Sequence, residues 1–378
     1  MAYKLTTNIE KIGSLKQEWT ELIKNSDRNN LFLAWEWVNS WCMNMINQSE
    51  TPVIITARIK DRLIGVAPLV IVSDANNKTI VRFLGQAYSY HLGFVAEKGF
   101  EERVYHALLD HLFNKFVKGI YQIEFIHFDE NLIFDSVLAN QVKKRRLVFE
   151  KGLQNPCKIL SLPDTFDAYF KSGIVSHNLK QNIKKDFRKL EKECQMKFFQ
   201  ADNENFRKYW FEMIDLHREM IEYKNKNSIL LGHQFPNHLQ QVAECFLKNN
   251  SLRLNILSVN HQTAAILLGI IYNDTFNALT MGINIKLIQE LPWLNLVITS
   301  HILSIKSAIT DKCKKYDLLG GYHDYKYKLG AIDKGGVKIM IRCQVNQSGK
   351  NKSLLSYFSK PMESIKSYFQ DKFTSSES

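Results

Sequence analysis

The chain has 378 residues, 45% of them hydrophobic, enough for two domains of ordinary size with their own cores. Its 50 Lys and Arg against 38 Asp and Glu leave a formal charge of +12, which calls for an anionic counterpart: nucleic acid, a substrate carrying phosphates, or an anionic lipid face. No RNP motif, zinc-finger spacing or helix-turn-helix signature is present, so DNA is not an expected partner.

The opening MAYKLTTNIEKIG lacks the apolar core of a secretion signal, and no run approaches the ~18 apolar residues of a membrane span. The expected compartment is the cytoplasm. Periodicity then predicts a short strand at 3–6, helices at 14–24 and 34–46, and strands at 52–59, 63–72 and 79–84. A helix at 101–117 and a strand at 122–128 follow. The second half predicts the same order: a strand at 196–200, helices at 205–223 and 236–248, strands at 252–259, 264–272 and 275–281, a helix at 292–310 and a strand at 315–319. Corresponding elements lie roughly 195 residues apart, while residue identities hardly repeat. The order βααβββαβ, read twice, points to a duplicated α/β domain and away from Rossmann and barrel folds.

Between the halves, 130–145 and 165–193 read as helices flanking the strand-like 147–150 and 157–162. The expected boundaries are a first domain at 1–162, a basic connecting helix at 163–195, a second domain at 196–345 and a polar tail at 346–378. The connecting helix carries Lys180, Lys184, Lys185, Arg188, Lys189 and Lys192 on a wet face, with Leu179, Ile183, Phe187 and Leu190 at helical spacing. Contact with an anion or RNA and a merely solvated face both stay open there. In the tail, apolar residues recur at helical spacing over 354–373; this segment is expected to pack on the body, to touch a membrane surface peripherally or to dock a partner. Cys42, Cys157, Cys194, Cys245, Cys313 and Cys343 show no CxxC or metal-ligand spacing and read as buried reduced thiols, so no metal is expected.

Chemistry concentrates near the end. Tyr316-Asp317-Leu318-Leu319-Gly320-Gly321 is a short apolar run ending in glycines, and Tyr325-Lys326-Tyr327-Lys328-Leu329-Gly330 follows at once. Strand ends running into glycine-rich loops are common binding positions. Asp317 is a candidate base, or a cap of the glycine loop. In an extended loop Tyr325 and Tyr327 point to the side opposite Lys326, which leaves one phenol free as an acid. Earlier in the chain, Tyr88, Tyr90 and His91 lie in GQAYSYHLGF, a run suited to sugar or ring contact. Trp37 and Trp41, one helical turn apart, read as core, and Glu36 falls on another face, toward a cleft.

The segment YDLLGGYHDYKYKLG resembles the C-terminal signature of the CelD/BcsL-like (BioF2-like acetyltransferase domain) branch of the GNAT superfamily, related to FemAB peptidyltransferases. Trp19 to Leu22 with Phe32-Leu33-Ala34-Trp35-Glu36-Trp37 and Trp41, Ile64-Gly65-Val66-Ala67-Pro68-Leu69, and Ser176 to Lys185 are similar to further parts of that family's pattern. The resemblance implies an α/β (α+β) fold of tandem duplicated GNAT-like domains, each a mixed, mostly antiparallel sheet flanked by helices. It implies acyl transfer from acetyl-CoA or another acyl-CoA to an amine of a sugar or cell-envelope and polysaccharide precursor, without a metal. In relatives a lysine stands at the position of Lys326, near the acceptor or the reacting carbonyl. The CoA pyrophosphate is expected where a helix begins after Gly282, near Lys286, Pro292 and Trp293. GINIKLIQELPWL departs from the family's glycine turn there. Two alternatives stand beside this reading: FemAB-like transfer from aminoacyl-tRNA, which the basic helix suits, and a non-catalytic accessory protein of polysaccharide biosynthesis.

Overall fold

The computed structural model describes residues 4–73, 78–116, 120–154, 156–171 and 173–343. The tail segment 354–373 lies outside them.

The first half comprises β1 (Leu5–Glu10), α1 (Lys16–Lys24), α2 (Trp35–Asn44), β2 (Glu50–Ile59), β3 (Arg62–Ser73), β4 (Thr79–Phe83), the two-residue β5 (Val95–Ala96), α3 (Glu101–Phe116) and β6 (Gln122–Phe128). The linking region contributes α4 (Leu132–Lys144), β7 (Val148–Leu153), β8 (Cys157–Ser161), α5 (Phe166–Lys171) and α6 (His177–Glu193). The expected helix over 165–193 is therefore two. The second half comprises β9 (Met196–Gln200), α7 (Phe206–Tyr223), α8 (Gln234–Lys248), β10 (Leu252–Val259), β11 (Gln262–Tyr272), β12 (Thr275–Ile283), α9 (Ile285–Glu290), α10 (Leu296–Thr310), β13 (Lys315–Asp317), α11 (Asp324–Lys328), β14 (Ile332–Lys334) and β15 (Val337–Arg342).

These elements build two sheets, mostly antiparallel. The first runs β1-β2-β3-β4-β6-β15-β7, with β5 pairing β3, and the second runs β14-β8-β13-β12-β11-β10-β9. Local chemistry sets the hairpins: Asn260–His261 and Asn273–Asp274 have positive φ at both positions, the I′ geometry that follows strand twist. β3 and β10 are buried over nearly their whole length, as strands covered on both faces must be.

Sheet membership crosses the expected boundaries at 162 and 196. β8 pairs with β13 and β14 in the second sheet, and β15 pairs with β6 and β7 in the first. The two crossing segments touch, with Gln154 N donating to Gly336 O at 2.6 Å. Gly336 has φ +84, and a Cβ there would lie 2.8 Å from both Gln154 O and Pro156 Cα, so only glycine lets the strands pass.

The halves also share a core. Trp37 and Trp41 of α2 set their rings 4.8 and 5.1 Å from His238 of α8, whose Nδ1 meets Ser40 Oγ at 3.0 Å. The fully buried Trp19 donates from Nε1 to Leu33 O, satisfying the one polar group that its burial strands. No helix among the described residues is long and apolar enough to cross a membrane.

Candidate active site

The central opening follows from strand lengths. β12 and β13 run parallel for only three pairs, Thr275↔Lys315 to Asn277↔Asp317, after which β13 ends and β12 continues to Ile283. Ala278, Thr280 and Met281 therefore pair with β11 on one edge and have no partner strand on the other; Met281 O also meets His217 Nδ1 at 2.9 Å. Ala278 to Met281 are half-buried in a row, although β11 beside them is buried from Ala264 to Ile270. An unpaired edge inside a sheet is a template for an extended, amide-bearing ligand. The first half closes its equivalent gap with its own side chain. Beyond β4, Gln86 Oε1 accepts from Phe83 N at 3.1 Å and from Ile126 N at 3.5 Å. Its α3 also begins with Glu101 and Glu102, the wrong charge for binding an anion at a helix N-terminus.

The chain leaving β13 forms the other wall of the gap. Asp317 Oδ1 accepts from Leu319 N at 2.8 Å, and Leu319 and Gly321 take positive φ. Lys326, 4% exposed, reaches back from α11 and donates through Nζ to Leu318 O at 2.8 Å and Gly320 O at 2.6 Å, with Leu319 O at 3.4 Å. Burial and the nearby Lys158 pull its pKa down to about 8, against the opposing pull of Asp317 and Cys157. Among the described residues, the N–H groups of Gly320 and Gly321 enter no backbone hydrogen bond. The lysine thus holds the carbonyls of the turn, while the N–H groups of its two glycines have no backbone partner.

A third feature joins the halves. His91 sits in the turn after β4 with φ +53, its carbonyl held by Asn30 Nδ2 at 3.0 Å. Its Nδ1 lies 3.0 and 3.1 Å from the two oxygens of Asp129, which follows β6, and its Nε2 lies 2.8 Å from Asp317 Oδ2. Burial works to lower its pKa, but the two carboxylates hold it well above the ordinary histidine value. In this state His91 is a hydrogen-bond donor at both nitrogens. Cys157 opens β8 close by: its Sγ, a ring nitrogen of His91 and a carboxylate oxygen of Asp317 lie within 4.8 Å of one another, the one such His/Cys/carboxylate group among the described residues. Tyr90 packs at the same seam, its ring 2.5 Å from where a Gly320 Cβ would stand.

The remaining expected residues are placed differently. Tyr325-Lys326-Tyr327 form a helical turn, not an extended loop, because α11 closes through Lys326 N to His323 O and Leu329 N to Tyr325 O. Tyr325 stacks on His301 at 5.5 Å, with its hydroxyl 3.5 Å from His301 Nε2, and burial pushes its pKa up to about 12. Tyr88 is not in the cluster: it packs on Trp41 and Phe235, at the contact of α2 with α8. Glu36 does not reach the gap either; its charge acts on Tyr272 and Cys245. Pro292 is not a first helical residue. α10 starts at Leu296, where Asn295 accepts from Ile298 N, and Pro292 lies in the preceding turn. Lys286 is exposed on the six-residue α9. Trp293 lies under α6, with Lys189 Nζ 4.3 Å from its ring centroid, so the basic helix borders the loop between β12 and α10. Lys184 is exposed and Lys180 half-buried on α6, and Lys184 lines a groove with Lys185, Arg188, Lys189 and Lys192.

Asp129, Cys157 and Lys158 were not singled out from sequence. Asp129 was legible in part, since it follows β6, the parallel strand of its half, as Asp317 ends β13. His323 is exposed beside Gly321 and stacks on Tyr325 at 5.8 Å; partial burial and Lys326, Lys226 and Lys224 keep its pKa below the ordinary value.

Comparison with known proteins bears on the fold. Residues 177–327, from α6 to α11, match the model of the acetyltransferase (GNAT) domain family. The crystal structure of FemX superposes with a TM-score of 0.61 at 11% identity, covering 88% of this chain and 96% of that one. The C-terminal (DUF2156) domain of a putative lysylphosphatidylglycerol synthetase from Agrobacterium fabrum gives 0.55 at 8% identity, covering 89% and 93%. L-PGS from Bacillus licheniformis gives 0.52 at 10% identity, covering 91% and 94%. At these identities the likeness is one of fold. No curated protein matches the sequence. The split sheet lies in the half that the acetyltransferase (GNAT) family model matches. Residues 177–327 thus match the acetyltransferase (GNAT) domain family, and they are preceded by a half of the same element order.

Proposed function

We propose that the protein transfers an acyl group from a thioester such as acetyl-CoA to an amine on a sugar or cell-envelope precursor. The observation that carries this reading is the unpaired edge of β12 facing a glycine turn held by Lys326. An extended thioester arm adds to that edge through its amides, which brings its carbonyl beside Gly320 and Gly321, whose N–H groups hold the developing oxyanion. His323, largely neutral near pH 7, takes the proton of the attacking amine. Tyr325, protonated throughout the neutral range, supplies the proton for the leaving thiolate. Lys326 and Asp317 position the turn. The basic face of α6, including Lys180 and Lys184, with Trp293 and Lys286, is the place for the donor phosphates, in lieu of a glycine-rich loop. A cytoplasmic location goes with such a donor.

A second reading has its own observation: the basic groove along α6 suits a polyanionic donor such as aminoacyl-tRNA. Isothermal titration with acetyl-CoA and with charged tRNA separates the two. Micromolar binding of acetyl-CoA, together with acetylation of an amino-sugar panel followed by mass spectrometry, is the expected result. Binding of charged tRNA alone selects the second reading. If neither binds, catalysis gives way to an accessory role in polysaccharide biosynthesis.

A further inference from the structure

We propose that His91, Cys157 and Asp317 form a zinc site at the seam of the two sheets. The three side chains come from the turn after β4, the first residue of β8 and the last of β13. Because Asp317 pairs with Ile159, the side chains of Asp317 and Cys157 share one face of adjacent antiparallel strands, and His91 reaches that face from the other half. All three residues are closed to solvent, at 9, 5 and 1% exposure for His91, Cys157 and Asp317, which sets them apart from surface carboxylates.

The donor set selects the metal. Imidazole, thiolate and carboxylate together suit zinc, whereas magnesium and calcium take oxygen alone. A tetrahedral zinc with bonds of about 2.0–2.3 Å separates neighbouring donors by about 3.3–3.7 Å. His91 Nε2 and Asp317 Oδ2, now 2.8 Å apart, have only to open by about half an ångström as the metal replaces the proton between them. Cys157 closes from no more than 4.8 Å. One thiolate and one carboxylate match the charge of a divalent ion, and the three side chains supply three of the four tetrahedral positions.

The outer shell is also in place. Asp129 grips His91 Nδ1 with both oxygens, the carboxylate–histidine arrangement that fixes the ring and directs its other nitrogen to a metal. Asn30 holds the His91 carbonyl, so a backbone of positive φ is maintained for that one side chain. The seam thus has ligands, an orienting carboxylate and a rigid backbone.

The inference does not rest on acyl transfer, because its readout needs no substrate. The full chain, expressed without a histidine tag in zinc-supplemented medium, is expected to retain stoichiometric zinc by elemental analysis. After chelation, cobalt(II) is expected to restore binding with a thiolate-to-metal charge-transfer band in the near ultraviolet. Cys157→Ser keeps the volume of the side chain and is expected to abolish that band with circular dichroism unchanged. Asp129→Asn is expected to weaken zinc binding about 10- to 100-fold while the band persists. Zinc at background level with no cobalt band, or a band that survives Cys157→Ser, overturns the proposal whatever the transferase assay shows.

Discussion

Replacing Lys326 by methionine keeps the length of the side chain and removes a buried ammonium. Two opposing energies act. Hydrogen bonds from a charged donor contribute about 1.5–3 kcal/mol each, and Lys326 makes two short ones, to Leu318 O and Gly320 O. Keeping the charge in the interior costs about 3 kcal/mol, the equivalent of bringing its pKa from 10.5 to about 8. At neutral pH the terms largely offset, and Lys326→Met is expected to cost no more than about 3 kcal/mol of stability. The turn loses its hold all the same, so transfer activity is expected to fall about 100-fold, the loss typical when oxyanion donors are displaced. Above pH 8 the balance shifts. The folded protein has shed the Lys326 proton while the unfolded chain keeps it up to 10.5, so stability rises with pH across that window. Urea unfolding of wild type and variant, taken as a difference so that other lysines and tyrosines cancel, is expected to diverge by about 3 kcal/mol in favour of wild type between pH 8 and 10.5. A flat difference refutes the buried ammonium, and an active variant refutes the role of the turn.

Gly320→Ala drives a methyl group into the Tyr90 ring and is expected to cost about 1–3 kcal/mol along with activity; adding Tyr90→Leu is expected to recover the stability in a denaturant titration. His301, buried against Tyr316 and Tyr325, has its pKa lowered to about 3 by burial and Lys326. The unfolded chain takes up this proton below about 6.5 and the folded one does not, so wild-type stability falls with pH there by about 1.4 kcal/mol per unit relative to His301→Gln. Unfolding midpoints measured on the way down to about pH 4 check this, and parallel curves for the two proteins would exclude a neutral buried His301. Reversing Lys184, Lys185 and Arg188 to glutamate is expected to weaken donor binding at least ~10-fold and to flatten its salt dependence. Unchanged titrations would remove α6 from the donor site.

Much of the fold was legible because its determinants are local. Apolar runs such as Leu63–Val70 and Ala264–Ile271 specify strands wherever they pair, and the twice-repeated order follows from periodicity alone. The errors are also local, but of a kind that short windows misjudge. Pro292 suited a helix start, yet the asparagine cap at Asn295 won; Tyr325 to Tyr327 alternate like a strand but close as one helical turn. The site was half legible. Asp317 and Lys326 lie in one glycine-rich motif, whereas Cys157 and Asp129 carried nothing in their neighbourhood to mark them.

From sequence alone came the duplicated α/β order, the basic helix and the glycine turn with its lysine. Tertiary structure alone decided that β8 and β15 exchange sheets, that Gln86 fills the first gap while the β12 edge stays open, and that His91 meets Asp317 226 positions along the chain. The physical reason is range. Strand and helix preference are properties of neighbouring residues, but a hydrogen bond between distant loops exists only after both sheets have closed and placed their ends at a common seam.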